Sequence, residues 1–432
     1  MLVTCEEMRQ AEEAAFARGV RAEDLMEDAG RGIAEIIRQF HKRPGRCLVF
    51  CGKGHNAGDG LVAARHLASW GWRIDLRFAF PESSLAPLTA KKLTELPRQH
   101  IDTPASGSKV VLDGLLGIGA RGEPRGEIAS AIRSINRIRD EEGAWVLAID
   151  IPSGLDAGSG VPAATCVRAD LTATIACVKD CLVADPATDL VGRLAVVELK
   201  ELPPPKSALW QISTPSAMQG WLPPRSFDMH KGDSGRVGIL AGSPGFTGAA
   251  RLCSAAALHA GAGLVTVLAK PDYAGTLAAS CAPEVMVKTV NSYADVHDLR
   301  FDALAIGPGL GLRDAAEVVS VIETSPQPMI VDADALNIVA RNTSVLKQCS
   351  GPRLLTPHPG EMERLFAQAD RSRRDWLEAF LAEFPITLLL KGARTLIGNP
   401  QSARFINTTG NPGMASGGMG DVLTGVCAAL VP

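Results

Sequence analysis

Short apolar runs that end on glycine or a carboxylate, each followed by a segment of helical spacing, recur along most of this 432-residue chain. Cys47-Leu48-Val49-Phe50-Cys51 leads into a glycine-rich stretch, 52–60, and then a helical pattern, 61–67. Runs at 73–78, 109–116 and 145–150 repeat the theme, with a helix expected over 127–140. Short, fully apolar strands alternating with helices build parallel sheets covered on both faces, so the chain is confined to an α/β architecture. Ahead of the first strand, Ala14, Ala15, Leu25, Met26, Ile33, Ile36 and Ile37 fall at helical spacing, broken by Gly19 and Gly30, which predicts two opening helices.

Between Glu198 and Arg236 the alternation stops and prolines gather at 203–205, 215 and 223–224. A proline-stiffened linker over 206–221 then separates a domain at 1–205 from one at 222–432. Beyond it the pattern restarts with a strand at 236–241, a loop at 242–248, a small-residue helix at 249–260 and a strand at 263–269. Two doubly wound α/β domains are expected, and the length is enough for two cores. Lys plus Arg (44) nearly balances Asp plus Glu (47) with no basic stripe, which argues against nucleic acid and for a small-molecule partner. The start turns acidic at Glu6 and Glu7, and no apolar stretch reaches membrane-spanning length, so a cytoplasmic protein without a membrane partner is expected. The ten cysteines include two pairs four residues apart, Cys47/Cys51 and Cys177/Cys181, but no second pair at zinc-ligand spacing. They read as reduced, mostly buried thiols.

Ligands of such sheets gather at the carboxyl ends of the strands, and polar residues collect there. In the first half they are Asn56 and Asp59 in the glycine-rich stretch, Asp113, and Asp150 with Ser153. One aspartate at a strand end reads equally well as a turn or cap; several on one side of one sheet point to a site. In the second half the strand ends are 307–311, 332–337, 356–361 and 390–395. The segment 411–421 says most: Gly417, Gly418 and Gly420 precede Asp421, and an apolar helical run follows. Uncovered amides at a helix start attract anions, and a carboxylate beside them can take a proton from an attacking hydroxyl, a combination suited to phosphoryl transfer. The same segment also reads as a glycine loop capped by aspartate. No Gly-Lys-Ser/Thr is present, which excludes a P-loop.

Residues 25–30 (Leu-Met-Glu-Asp-Ala-Gly), 52–60, 113–119 and 150–156 together resemble the YjeF N-terminal domain, the family of NAD(P)H-hydrate epimerases, over about residues 1–200. The resemblance implies a Rossmann-like domain holding a potassium ion (K+) on Asn56, Asp113 and Ser153. It places the substrate along His55, Asn56, Ala57, Gly58 and Asp59, along Gly117, Ile118, Gly119, Ala120, Arg121, Gly122 and Glu123, and at Asp150. His55 stands where the family usually has asparagine. Lys179-Asp180-Cys181 lacks the Pro-Gly that commonly follows this lysine, so Lys179 is left outside the catalytic set.

From about 222 to 430 the strand-end series, with His230-Lys231-Gly232 at its entry, resembles the ribokinase-like fold and within it the ADP/ATP-dependent NAD(P)H-hydrate dehydratases. Carried over by motif, Ala249, Gly309 and His358 line the hydrate site. Lys391, Gly392, Ala393, Arg394 and Thr395 with Gly417, Gly418 and Gly420 hold the nucleotide, and Asp421 is the catalytic base. Asp332, Asp334, Asn337 and Glu361 fall near the Mg2+ and phosphate region. Relatives continue past the helix that bears Asp421, so residues 421–430, about three turns, are expected to leave apolar surface bare.

The resemblance implies repair of hydrated NADH and NADPH, which carry a hydroxyl on the sixth ring carbon in two epimers. Asp421 would deprotonate the S epimer's hydroxyl for phosphorylation by ADP or ATP, and loss of phosphate would restore the double bond. The first domain would interconvert R and S with Asp150 as acid–base group. ADP as donor and a homo-oligomer are expected from two-domain bacterial relatives. A small-alcohol kinase of the same fold and a nucleotide-binding protein without turnover are the alternatives.

Overall fold

Strands come first in positioning the sites, because each polar cluster follows one. The computed structural model describes residues 2–97, 109–203, 209–222, 224–367 and 372–431. Residues 206–208 of the expected linker, and Pro204, Pro205 and Pro223 beside it, lie outside the described residues. The chain divides into two units, Met1–Ile212 and Ser213–Pro432.

In the first unit, α1 (Cys5–Ala17) and α2 (Ala22–Phe40) precede β1 (Arg46–Cys51), α3 (His55–Ser69), β2 (Arg73–Phe78), β3 (Lys109–Gly114), α4 (Gly126–Glu142), β4 (Trp145–Ile149), β5 (Leu171–Ile175) and β6 (Arg193–Val197). The strands form a wholly parallel sheet of order β2-β1-β3-β4-β5-β6. The order reverses between β1 and β3, and the crevice beyond their carboxyl ends is where a doubly wound sheet opens for a ligand. Alternate residues of β1 serve opposite faces: Cys47, Val49 and Cys51 pack with Ile33, Ile37 and Leu61, while Leu48 and Phe50 pack with Ile132 and Ile135. Each such fully buried isoleucine contributes roughly 1.5–3 kcal/mol relative to exposure.

Two expectations are corrected here. Gly30 does not break the opening helix but lies inside α2. A Cβ at Gly30 would stand 2.4 Å from Val62 Cβ, so the glycine lets α2 and α3 approach. The stretch 52–60 is not a loop throughout: α3 starts at His55 with Gly54 as its N-cap, which puts Asn56 and Asp59 on the first turns of a helix.

In the second unit β7 (Arg236–Leu240), α5 (Thr247–Ala260), β8 (Leu264–Ala269), β9 (Met286–Thr289), β10 (Ala303–Ile306), β11 (Met329–Val331), α6 (Ala333–Val339), β12 (Arg353–Leu355), α7 (Pro359–Leu365), β13 (Thr387–Leu390), β14 (Thr395–Gly398), β15 (Arg404–Asn407) and α8 (Met419–Ala429) carry the argument. Their strands run β9-β8-β7-β10-β11-β12-β13-β14-β15, parallel as far as β13 and antiparallel after it. The switch point is between β7 and β10. α8 lies on α5 so closely that a Cβ at Gly425 would meet Cys253 O at 2.1 Å.

Candidate functional sites

The first unit holds a cavity of about 570 Å³ at the β1/β3 switch point. Of the residues expected to bind substrate, His55, Asn56, Asp59, Gly117, Ile118, Gly119, Ala120 and Asp150 line it. Ala57 and Gly58 do not: Ala57 is fully buried, with its Cα 3.4 Å from where a Cβ on Gly114 of β3 would stand, and a Cβ at Gly58 would stand 2.5 Å from Met26 Cε of α2. Arg121, Gly122 and Glu123 lie outside the lining too. Glu123 accepts hydrogen bonds from Ala164 N and Thr165 N at 3.0 Å each, so its carboxylate secures a loop.

At one end of the cavity Asn56, Asp113 and Ser153 converge on the Leu115–Leu116 backbone. Asn56 Nδ2 donates to Leu116 O (2.7 Å) and Ile149 O (3.2 Å). Leu116 N donates to Ser153 Oγ (3.0 Å), which in turn donates to Asp113 Oδ1 (2.7 Å). Ser153 N (2.8 Å) and Leu115 N (3.2 Å) also donate to Asp113. Burial pushes the Asp113 carboxyl up to about 6 despite these donors, so a nearby cation would compensate an otherwise costly buried charge. Asn56 Oδ1, the Asp113 carboxylate and Ser153 Oγ are hard oxygens, the kind of ligand an alkali cation prefers.

Asp150 sits just past β4 with φ of 64°, a left-handed conformation that aspartate tolerates better than most side chains. Its Oδ1 accepts from Ile175 N (3.0 Å), from Thr174 Oγ1 (3.3 Å) and from Lys179 Nζ. Lys179, left aside on sequence grounds, is 1% exposed and also donates to Ile175 O (2.6 Å) and Thr174 Oγ1 (3.2 Å). A short parallel pairing of Leu2–Val3 with Val178–Lys179 holds it there. The missing Pro-Gly therefore leaves the lysine in the cavity wall, and the structure adds it to the site. Glu12 and Lys53 also line the cavity; helical spacing gave no reason to separate Glu12 from the solvent-facing acids of α1.

In the second unit the first turn of α8 is the focus. Gly418, with φ of 86°, is its N-cap and Asp421 its third residue. Burial and the neighbouring Asp332 push the Asp421 carboxyl above the usual carboxylate range, while Lys391 pulls it back. Asp332, at the end of β11, accepts from Lys391 Nζ (2.9 Å) and Thr424 Oγ1 (2.7 Å). Lys391 Nζ is also 3.6 Å from Glu361 Oε2. A Cβ at Gly420 would lie 3.5 Å from Lys391 Nζ and 3.7 Å from Asp332 Oδ2. One ammonium, three carboxylates and the open amides of a helix start thus meet at one place, an arrangement able to hold a phosphoryl group and remove a proton beside it.

Ala249 and Gly309 meet across the β7/β10 switch point, where a Cβ on Gly309 would stand 2.9 Å from Ala249 Cβ. His358 is the N-cap of α7, its Nδ1 accepting from Gly360 N (3.1 Å) and Glu361 N (3.3 Å); the ring is half-exposed, with Nε2 3.5 Å from Glu361 Oε1. Asp334 accepts from Gly311 N (2.9 Å), securing that loop, and Asn337 accepts from Arg364 Nε (2.8 Å), tying α6 to α7. Arg394 is 3% exposed, with one guanidinium nitrogen on Thr408 O (3.3 Å). That burial leaves the backbone of Arg394, not its side chain, as the part of this residue beside the 391–395 loop. Thr424 was missed, although it stands one turn after Asp421 on the same helix face. No helix among the described residues is long and apolar enough to cross a membrane.

Comparison with known proteins gives matches in both units. The family described as NAD(P)H-hydrate dehydratase matches residues 237–431, and the family described as YjeF-related protein N-terminus matches residues 22–181. The bifunctional NAD(P)H-hydrate repair enzyme of Moorella thermoacetica is 38% identical over 99% of this chain and 87% of its own length. The enzyme of the same name from Escherichia coli K12 is 34% identical over 99% of this chain and 84% of its own. A solved Bacillus subtilis ADP/ATP-dependent NAD(P)H-hydrate dehydratase is 29% identical over 49% of this chain and 80% of its own, with a TM-score of 0.42.

Proposed function

We infer the activity from one premise: the chain belongs to the family of bifunctional NAD(P)H-hydrate repair enzymes. It epimerises the R and S hydrates of NADH and NADPH and dehydrates the S epimer at the expense of a nucleotide. The observation that carries the second step is the position of Asp421 on the first turn of α8 beside Gly420, Lys391 and Asp332. Asp421 takes the proton from the hydroxyl of the S epimer as its oxygen attacks the terminal phosphorus. The open amides at Gly418 and Gly420 and the Lys391 ammonium stabilise the charge gathering on the phosphoryl oxygens. Phosphate then leaves and the ring double bond returns. Ala249, Gly309 and His358 fit the hydrate, while Lys391, Gly392, Ala393 and Thr395, with the backbone of Arg394, fit the nucleotide, for which we propose ADP. Mg2+ would be held by Asp332 and Glu361 with phosphate oxygens and water, and would supply further charge neutralisation.

In the first unit Asp150 serves as an acid–base group at the cavity, and K+ would be held by Asn56, Asp113 and Ser153. The raised Asp113 carboxyl and the all-oxygen donor set support that ion. The ten free cysteines suit a reducing, cytoplasmic compartment. Exposed Leu252 on α5 and Leu430 just past α8 support a homo-oligomer.

The test mixes the enzyme with S-epimer NADH hydrate, Mg2+ and either ADP or ATP, and follows the return of reduced-nicotinamide absorbance. Recovery that depends on nucleotide and falls by at least about 10³-fold in Asp421→Asn supports the assignment, in line with removal of a base acting in the transition state. Undiminished recovery in the mutant would remove Asp421 from the role of base.

A further inference from the structure

The cavity of the first unit holds more carboxyl groups than a single acid–base residue requires. Three face it: Asp150 past β4, Asp59 on α3 and Glu12 on α1. They differ in what restrains them. Asp150 Oδ1 is engaged by Lys179, Ile175 N and Thr174, a setting that suits a proton acceptor. Glu12 has no hydrogen-bond or ion-pair partner recorded among the described residues, and α1 sets it beside Phe16, one turn on, along the cavity wall. Its helix neighbours Glu6 and Glu7 take the roles of surface pair and N-cap partner, and Glu13 is exposed. Glu12 is thus the acid of α1 that has a place in the cavity and no structural duty.

An epimerisation at a hydroxyl-bearing carbon needs two groups, because oxygen leaves from one face and returns on the other. We propose that Glu12 is the second group of the epimerase: a neutral carboxylic acid that protonates the departing hydroxyl while Asp150 works on the opposite face. The inference rests on the epimerase reading of this cavity and adds a residue to it. In the R-to-S direction the Glu12 carboxyl gives its proton to the hydroxyl on the sixth carbon. The C–O bond breaks, water leaves, and the lone pair of the ring nitrogen forms the C=N bond. Water adds to the other face, that electron pair returns to nitrogen, and the surplus proton passes to the Asp150 carboxylate. Exchange through cavity water carries a proton from Asp150 back to Glu12, so no oxidant or reductant is needed. In the S-to-R direction the roles reverse.

Charge around the cavity agrees with a neutral acid at this position. Burial and the Asp150 charge raise the Glu12 carboxyl, and Lys179 opposes them without reversing the direction. Burial, with Asp150 and Glu12 as neighbours, also raises Asp59, with Lys179 opposing. Lys53 and His55 complete the titratable lining.

The experiment uses the full-length enzyme with ADP and Mg2+ and compares R-epimer with S-epimer NADH hydrate. Recovery from the R epimer above its spontaneous rate reads epimerisation, and recovery from the S epimer reads dehydration alone. Glu12→Gln is expected to lower kcat on the R epimer by about 10²- to 10⁴-fold, with KM changed less than threefold and S-epimer turnover unchanged. The wild-type rate should fall at high pH as the acid ionises, and the mutant should lose that limb. Glu12→Asp should restore at least tenfold over Glu12→Gln, and Glu13→Gln on the exposed side should match wild type. A Glu12→Gln enzyme within threefold of wild type overturns the proposal. So does an equal loss in Glu12→Asp with the high-pH limb intact, which marks a packing role. A wild-type enzyme that turns over S but leaves R at its spontaneous rate overturns the epimerase reading together with this assignment.

Discussion

Replacing Lys179 by methionine isolates the buried ion pair of the first unit. Methionine keeps most of the length and apolar volume but removes the ammonium that meets Asp150 Oδ1, Thr174 Oγ1 and Ile175 O. The side chains of Lys179 and Asp150 are 1% and 10% exposed, so water cannot replace the lost partner without opening the site. Ile175 N and Thr174 Oγ1 remain on the carboxylate at 3.0 and 3.3 Å, which keeps the penalty below that of a bare charge. Breaking a buried pair by deleting one member costs about 3–5 kcal/mol, against roughly 5–15 kcal/mol for the stability of a domain. Two units need not unfold together, so the measurement should be local: hydrogen exchange of the β4 amides, 145–149, which open with the first unit. At tenfold per 1.36 kcal/mol, protection should fall by roughly a hundred- to several-thousand-fold. The double mutant Asp150→Asn/Lys179→Met removes both charges and should regain at least about 2 kcal/mol of that loss while staying inactive as an epimerase. β4 protection within tenfold of wild type in Lys179→Met, with no regain in the double mutant, would show that the pair carries no such energy.

Asp332→Asn removes the like charge that helps raise Asp421. Because a base must be ionised to act, the low-pH limb of kcat/KM for S-epimer dehydration should move to lower pH in the mutant, whatever its maximum rate. A limb that stays in place or moves upward would exclude the coupling. Gly425→Ala puts a methyl where Cys253 O lies 2.1 Å away, so α8 and α5 must separate; overpacking of this kind costs about 1–3 kcal/mol, and the second unit's urea midpoint should fall while protection in β4 stays unchanged.

Periodicity made the architecture legible because fully buried parallel strands must be apolar on both faces, as Leu48 and Val49 are on opposite sides of β1. It also exposed the strand-end residues Asp113, Asp150 and Asp332, since carboxylates after apolar runs interrupt an otherwise apolar pattern. The glycines before Asp421 were readable for the same local reason: a helix start with open amides needs a residue free to adopt φ of 86° at Gly418. Direction was harder to read. Ala57 and Gly58 share a segment with Asn56 and Asp59, yet only the packing of α3 against Gly114 of β3 and Met26 of α2 decides which of the four reach the cavity. Arg394 sits between Lys391 and Thr395 in sequence, and only the tertiary fold turns its side chain inward to Thr408 O.

The amino-acid sequence alone determined two doubly wound α/β units and the polar strand ends of each, because hydrophobic period and glycine placement act over a few residues and are written locally. The tertiary structure alone decided which charges meet. Lys179 reaches Asp150 across 29 residues, Lys391 reaches Asp332 across 59, and Thr424 reaches the same carboxylate across 92. Glu12 enters the cavity because α1 is held beside a sheet whose strands begin more than thirty residues later. A carboxylate's neighbours set its proton affinity, and neighbours separated by that much chain leave no periodic mark for a sequence to show.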